Sequence, residues 1–105
     1  MEDYHHHSKI KDENIDELFE GILKLKTINE CYRFFEDICT IKEIQSISQR
    51  LQVAKLLLQN EKYTEIEEKT KASTATISRV NKSLRYGAEG YTLILKRLGY
   101  REEIK

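Results

Sequence analysis

The sequence predicts an all-α protein of about six helices, and three observations support this fold class. The 105 residues contain no proline and only four glycines, so the turn residues that β-hairpins usually require are scarce. Apolar residues recur every three or four positions in successive segments, which is typical of helices with one buried face. Three of these segments follow a Thr-x-x-Glu sequence, in which hydroxyl and carboxylate each accept a backbone N–H at a helix N-terminus.

Two amphipathic helices are predicted in the first 40 residues. We expect residues 1–12 to form a flexible arm and residues 13–105 to form a single helical domain, because the chain has the length of one domain. The first helix is predicted from about Glu13 to Leu25. The second follows Thr27, the first residue of "TINE", and ends near Ile38. The predicted inward positions are Ile15, Leu18, Phe19, Ile22 and Leu23 in the first helix, and Ile28, Cys31, Tyr32, Phe35 and Ile38 in the second.

A long helix and a short helix are predicted next. The sequence "TIKE", which begins at Thr40, predicts the start of a helix from about Ile41 to Leu58, with one stripe of apolar residues along it. The sequence "TEIE", which begins at Thr64, predicts the start of a short helix that ends near Thr70.

The last third of the chain contains two more predicted helices. One runs from about Thr74 to Arg85, and "GAEG", which begins at Gly87, ends it. The last helix, from about Tyr91 to Leu98, is apolar on nearly all sides, and Phe34 beside Phe35 gives the second helix a similarly wide apolar surface. One small core cannot cover all these faces, so we predict a homodimer.

The charge of the chain is divided unevenly, although its net charge is zero. Residues 1–70 carry 10 Lys/Arg against 15 Asp/Glu, whereas residues 71–105 carry 8 against 3. The basic last third indicates an anionic partner, and a solvated basic surface is the simpler alternative. The chain has neither an apolar run of about 18 residues nor the apolar region of a signal peptide. We therefore expect a cytoplasmic protein without membrane contact, in which Cys31 and Cys39 are buried thiols.

The stretch "IEEKTKASTATISRVNKSL", from Ile66 to Leu84, matches the pattern of a helix-turn-helix. In that motif the first helix braces against the DNA backbone, and the N-terminal residues of the second reach base edges in the major groove. Hydroxyl groups there would meet phosphates or bases, Ala75 would contact a thymine methyl group, and the basic residues would attract phosphate. The predicted DNA-binding residues are Lys71, Ser73, Thr74, Ala75, Thr76, Ser78, Arg79, Lys82 and Arg85.

Two alternatives remain open for this stretch. A plain helical hairpin with an N-cap at Ser73 would produce the same pattern, because short polar residues are ordinary at a helix start. A helix-turn-helix can also serve as an interaction module that docks a protein partner. Lys71 occupies the turn position that is often glycine, so we expect it to adopt a backbone conformation that is unfavourable for lysine.

The sequence "ASTATISRVNKSL", with the preceding "QRLQVAKLLLQNEKYTEIEEKT", resembles the Trp repressor superfamily. The sequences "CYRFFEDICTIKEIQSISQRL" and "LRYGAEGY" resemble its YerC/YecD type, and the resemblance covers roughly residues 13 to 98. It implies a transcriptional regulator, in particular a repressor, and an intertwined all-α homodimer that places two recognition helices in successive major grooves of double-stranded DNA. Thr64 stands where Trp repressor has a base-contacting arginine, so the resemblance implies a different operator.

The resemblance also implies a ligand pocket. In Trp repressor the indole ring of tryptophan lies between two arginines, matched here by Arg50 and Arg79, and a threonine and a serine that help to hold the ligand are matched by Thr40 and Ser83. Trp repressor has glycine after the second arginine, whereas this chain has Val80, whose branched side chain we expect in the space of the ring. We therefore predict that tryptophan is not the corepressor and that DNA binding needs no amino-acid ligand, which makes a small-molecule effector doubtful.

No cofactor, metal site or catalytic centre is predicted. His5, His6 and His7 are consecutive, so they cannot all face one metal ion from a helix. Cys31 and Cys39 have no histidine nearby in the sequence, and the chain contains no glycine-rich phosphate loop. These observations argue against an enzyme.

Overall fold

The computed structural model describes residues 6–103, and this range contains six α-helices and no β-strand, which confirms the predicted fold class. The helices are α1 (Glu13–Ile22), α2 (Ile28–Ile38), α3 (Ile41–Leu58), α4 (Tyr63–Thr70), α5 (Thr74–Tyr86) and α6 (Gly90–Arg97). His5 and the beginning of the predicted arm lie outside the described residues, as do residues 104 and 105. None of the described helices is both long enough and apolar enough to cross a membrane.

The chain divides into two compact units, Met1–Ile41 and Lys42–Lys105. In the first unit, α1 and α2 both begin at a side-chain cap. The Asp12 carboxylate accepts two backbone N–H groups of the first turn of α1, at 2.9 and 3.1 Å. The Thr27 hydroxyl accepts the N–H of Glu30 at 3.0 Å, as predicted for "TINE", although the Glu30 carboxylate accepts the N–H of Lys26 at 2.8 Å, one residue earlier than expected.

Helix α1 is shorter than predicted, since it ends at Ile22 and not at Leu25. Beyond Ile22 the backbone changes from hydrogen bonds between residues four apart to bonds between residues three apart. The N–H of Lys24 donates to the Gly21 carbonyl at 3.0 Å, and the N–H of Leu25 donates to the Ile22 carbonyl at 3.1 Å. A tightened last turn of this kind is common at the C-terminus of a helix.

The apolar faces of the first unit remain accessible in the single chain. None of residues 6–41 is buried, and Leu23, Ile28 and Tyr32 expose 82%, 76% and 64% of their surfaces. Cys31, predicted to be buried, is exposed, and Cys39 is half-buried; both carry free thiols. The amphipathic pattern thus predicts the helices, but none of the apolar side chains along them is buried among the described residues of this unit.

The second unit contains the hydrophobic core, to which α3, α4, α5 and α6 all contribute. The chain after α6 returns to the end of α3, where the N–H of Glu103 donates to the Leu58 carbonyl at 3.0 Å. The Lys55 ammonium lies 5.1 Å from the centre of the Tyr100 ring. The segment after α6 is therefore held against the C-terminal end of the long helix. The buried residues are Val53, Ala54, Leu58, Ile66, Ala72, Ile77, Val80 and Leu95.

The prediction that Thr64 caps the short helix is wrong. Helix α4 begins at Tyr63, and the residue at its N-cap, Lys62, makes no side-chain cap bond. Tyr63 is half-buried and packs against the core. Packing of this side chain holds the backbone in helical form one residue earlier, and Thr64 then lies inside the first turn.

Glycine ends α5 because of a close backbone approach. The N–H of Gly87 donates to the Ser83 carbonyl at 2.8 Å, and a Cβ atom at Gly87 would lie 2.4 Å from that carbonyl oxygen. No side chain fits there without a shift of the backbone. The "GAEG" sequence therefore ends the helix at Tyr86, as predicted within one residue, and α6 follows from Gly90.

Candidate nucleic-acid interface

Helices α4 and α5 form a helix-turn-helix with a three-residue turn, residues 71–73. Their facing sides are closed by Ile66 and Ile77, both fully buried, and by Ala72 of the turn, which is 4% exposed. Small and branched apolar residues at these three places let the two short helices approach closely. The motif is therefore a packed unit in which the opposite side of α5 is exposed.

The turn contains a lysine in the left-handed region, as the sequence predicts. Lys71 has φ 62° and ψ 14°, and its N–H donates to the Glu67 carbonyl at 2.8 Å. This conformation closes the end of α4 in the manner that glycine usually provides. The Lys71 side chain is exposed, so the turn carries a positive charge at its surface.

A hydrogen bond from α3 fixes the turn in place. The side-chain amide of Gln49 donates to the Thr70 carbonyl at 3.0 Å. The Thr70 hydroxyl donates to the Ile66 carbonyl at 2.7 Å and accepts the N–H of Ala72 at 3.1 Å. Sequence reasoning did not assign roles to Gln49 and Thr70, because a contact across 21 residues leaves no local pattern. The position of Gln49 in "QR", within the resemblance, was the only available signal.

The N-terminus of α5 is organised by hydroxyl groups. Ser73 is the N-cap, as predicted, and its hydroxyl accepts the N–H of Thr76 at 3.1 Å. The same hydroxyl donates to Oγ1 of Thr76 at 3.1 Å, and Thr76 is half-buried. The Thr74 hydroxyl donates instead to the carboxylate of Glu67 on α4, at 2.5 Å. Glu67 is a further residue of this surface that the sequence did not reveal.

The outer side of α5 carries a continuous polar strip. Arg79, Lys82 and Arg85 follow one another at intervals of three residues, so they lie close together along one side of the helix. Nε of Arg85 donates to the side-chain oxygen of Asn81 at 3.3 Å. Of the nine predicted DNA-binding residues, eight are exposed and only Thr76 is half-buried. The exposed eight are Lys71, Ser73, Thr74, Ala75, Ser78, Arg79, Lys82 and Arg85.

Comparison with known families identifies the family of this chain. The model of the family described as Trp repressor protein matches residues 13–99, which is most of the chain. The chain belongs to the Trp repressor family. The family match begins where α1 begins and includes the whole helix-turn-helix.

Three proteins of known sequence or structure are similar to this Trp repressor family member over most of its length. It is 52% identical over 90 residues to the uncharacterized protein YerC of Bacillus subtilis strain 168, and the match covers 86% of each chain. Its structure is similar to a crystal structure of a protein assigned as a Trp repressor from Staphylococcus aureus, with TM-score 0.86, 52% identity and coverage of 90% and 95% of the two chains. It is also similar to a TrpR-like protein from Eubacterium eligens ATCC 27750, with TM-score 0.85, 55% identity and coverage of 90% and 98%.

The second unit of this Trp repressor family member also contains a cavity of about 460 Å³. Arg50 and Ser83, two of the four residues predicted for a ligand pocket, line this cavity, whereas Arg79 and Val80 do not. Val80 is 1% exposed and packs in the core. The other predicted residue, Thr40, belongs to the first unit. Among residues 6–103, no group of three or more metal-ligating side chains comes together.

Proposed function

We propose that this member of the Trp repressor family is a sequence-specific DNA-binding transcription regulator, a repressor and not an enzyme. The observation that carries the proposal is the division of α5 into a buried side and an exposed strip of cations, hydroxyl groups and one methyl group. A helix of 13 residues is about 20 Å long. Such a helix fits in the major groove, which is about 12 Å wide and presents a distinct hydrogen-bond pattern for each base pair.

The groups on this strip and on the adjoining turn are of two kinds. The exposed cations Lys71, Arg79, Lys82 and Arg85 suit phosphate contacts, which provide affinity without sequence information. The short side chains near the N-terminus of α5, Thr74, Ala75 and Ser78, suit contacts to base edges. This order follows the docking of a recognition helix, whose N-terminal residues reach the bases.

We further propose that the regulator acts as an intertwined homodimer. The support is the accessible apolar surface on α2 and α6, where Ile38 and Ile94 expose 52% and 49% of their surfaces. A two-fold axis would set two recognition helices on half-sites about one helical turn apart, on a roughly palindromic operator.

The Lys82→Ala variant is expected to weaken binding to all DNA sequences alike. Lys82 is exposed and is proposed to contact phosphate, so its loss should reduce the slope of log affinity against log salt by about one unit per subunit. Fluorescence anisotropy at several salt concentrations measures this slope. The Lys96→Ala variant is the control, since it removes the same charge from α6, outside the helix-turn-helix.

The same titration tests whether the module docks a protein instead. Counterion release makes DNA affinity fall steeply with salt, whereas contact through the apolar residues of α6 would respond weakly. An unchanged slope in Lys82→Ala, or wild-type protein without affinity for double-stranded DNA, would contradict the proposed interface.

Tryptophan is proposed not to be the corepressor, and DNA binding is proposed to require no amino-acid ligand. The sequence argument is the replacement of glycine by Val80 after Arg79. In the structure, Val80 packs in the core and does not line the cavity beside Arg50 and Ser83, so this proposal rests on the sequence alone. The cavity beside Arg50 and Ser83 makes a direct test worthwhile. Calorimetry with millimolar L-tryptophan is expected to give no saturable heat, and DNA affinity is expected to be equal with and without it. Saturable binding together with tighter operator binding would contradict this prediction.

A further inference from the structure

Glu67 and Thr74 are joined across the turn of the helix-turn-helix. The Thr74 hydroxyl donates its hydrogen bond to Oε2 of Glu67. Thr74 is the first residue of α5 and is exposed, whereas Glu67 lies half-buried in the last part of α4. The backbone of Glu67 is itself held, because its carbonyl accepts the N–H of Lys71 in the turn. The contact therefore directs the only proton that the Thr74 side chain can donate.

This contact determines what Thr74 offers to a partner. A threonine hydroxyl has one O–H donor and two lone pairs, and an ionised carboxylate only accepts. Hydrogen bonds to a carboxylate are roughly twice as strong as those between neutral groups, so the proton stays on the side of Glu67. Thr74 and Glu67 thus both present acceptors at the N-terminus of α5, and neither presents a donor.

Two kinds of DNA group fit poorly against such a pair. Phosphate oxygens are acceptors with negative charge, so they would meet neither a donor nor an attractive charge. In the major groove, guanine O6 and N7 and thymine O4 are also acceptors. The exocyclic amino groups of adenine and cytosine are the donors available there. A pair that only accepts therefore favours these two bases.

We propose that Glu67 and Thr74 form a base-selecting pair. In each half-site, one base on the contacted strand faces the N-terminus of α5. The pair requires this base to present an amino group, so it must be adenine or cytosine. This inference rests on the proposed DNA-binding function and assigns one base contact within it. Thr74 makes the contact, and Glu67 positions the hydroxyl proton away from the DNA. The Glu67 charge lowers affinity for DNA in general while it raises discrimination at this one position.

The test is selection of bound sequences from a random double-stranded library by the full-length protein and three variants. At one position per half-site, the wild type is expected to prefer adenine or cytosine over guanine or thymine on the contacted strand, on the order of tenfold. In Glu67→Gln the shape is retained, but the amide can donate, so this preference should fall toward parity while other positions keep theirs. Affinity for all sequences should rise severalfold, because a negative charge near the phosphates is removed.

Two further variants separate base selection from other effects. Thr74→Val removes the hydroxyl with little change of shape and should abolish the preference at the same position. Glu68→Gln is the matched control, since it removes an equal charge from the adjacent, exposed residue and should leave the preference unchanged. Thermal melts by circular dichroism identify any variant that fails to fold. If Glu67→Gln fails, Thr74→Val still tests the inference, because Thr74 is exposed and its substitution should not disturb the fold.

The outcomes distinguish this inference from the function on which it rests. A wild type that selects a sequence, with the same preferences in Glu67→Gln and Thr74→Val, would overturn the pair and leave the DNA-binding function intact. An equal loss of preference at every position would indicate a structural role and would also overturn it. A folded wild type that binds no double-stranded DNA would contradict the proposed function and the inference together.

Discussion

The Ile77→Ala variant is expected to lose about 2–5 kcal/mol of unfolding free energy. Ile77 is fully buried and lies between the two helices of the helix-turn-helix, beside Ile66 and Ala72. Truncation removes transfer free energy and leaves a cavity, since the surrounding short helices cannot close fully around alanine. The total free energy of unfolding of a small domain is only about 5–15 kcal/mol. This single change should therefore remove a large part of the stability of the folded state. Urea unfolding at fixed protein concentration measures the loss.

Ser78→Ala is the control for this experiment, because Ser78 is the next residue along α5 and is exposed. Its free energy of unfolding should change by less than about 0.5 kcal/mol. A similarly small effect in Ile77→Ala would show that the helix-turn-helix is not packed as described.

Wild-type protein at micromolar concentration is expected to sediment at about twice the chain mass of 12.4 kDa, and Tyr32→Glu is expected to sediment as a monomer. Tyr32 is 64% exposed on α2 in the single chain, within the apolar stripe proposed to meet a second copy. The symmetry of a dimer would bury the new carboxylate twice, and an unpaired buried charge is strongly unfavourable. Dimerisation should weaken at least a hundredfold, and specific DNA binding should be lost with it.

The control places the same charge where it should be tolerated. Asn29→Glu adds a carboxylate to the exposed, polar first turn of α2, which also suits the dipole at the N-terminus of the helix. This variant should remain dimeric. A wild type that sediments as a clean monomer would rule out the dimer and the intertwined arrangement.

Local sequence signals predicted those helix ends that local chemistry determines. Thr27 and Ser73 are N-caps as expected, and both α2 and α3 have the predicted ends. The prediction failed at Thr64, where the packing of Tyr63 against the core extends α4 toward its N-terminus. A capping pattern shows which side chain can accept the free backbone N–H groups at a helix start. It does not show which side chain will pack in the core.

In the candidate site, too, features that depend on neighbouring residues could be predicted from the sequence, and contacts between distant residues could not. Periodicity and charge were enough to select Arg79 and Lys82 on the outer side of α5, which the structure finds exposed. The bonds from Gln49 to Thr70 and from Thr74 to Glu67 could not be predicted. Each depends on the path of the turn, and that path is defined only after the helices have packed.

Lys71 affects the free protein and the proposed DNA complex in opposite directions. Its left-handed backbone conformation destabilises the fold, and its charge stabilises the complex. A side chain in this region costs about 1 kcal/mol relative to glycine, whether or not any partner is present. The charge of the same residue, by contrast, acts only when an anion is near. Glycine would give a more stable free protein with the same turn, and lysine gives a less stable one whose proposed complex with DNA gains an attraction. The turn is thus a position where optimisation of folding and optimisation of the proposed DNA binding favour different amino acids, and lysine is the residue that suits the proposed binding.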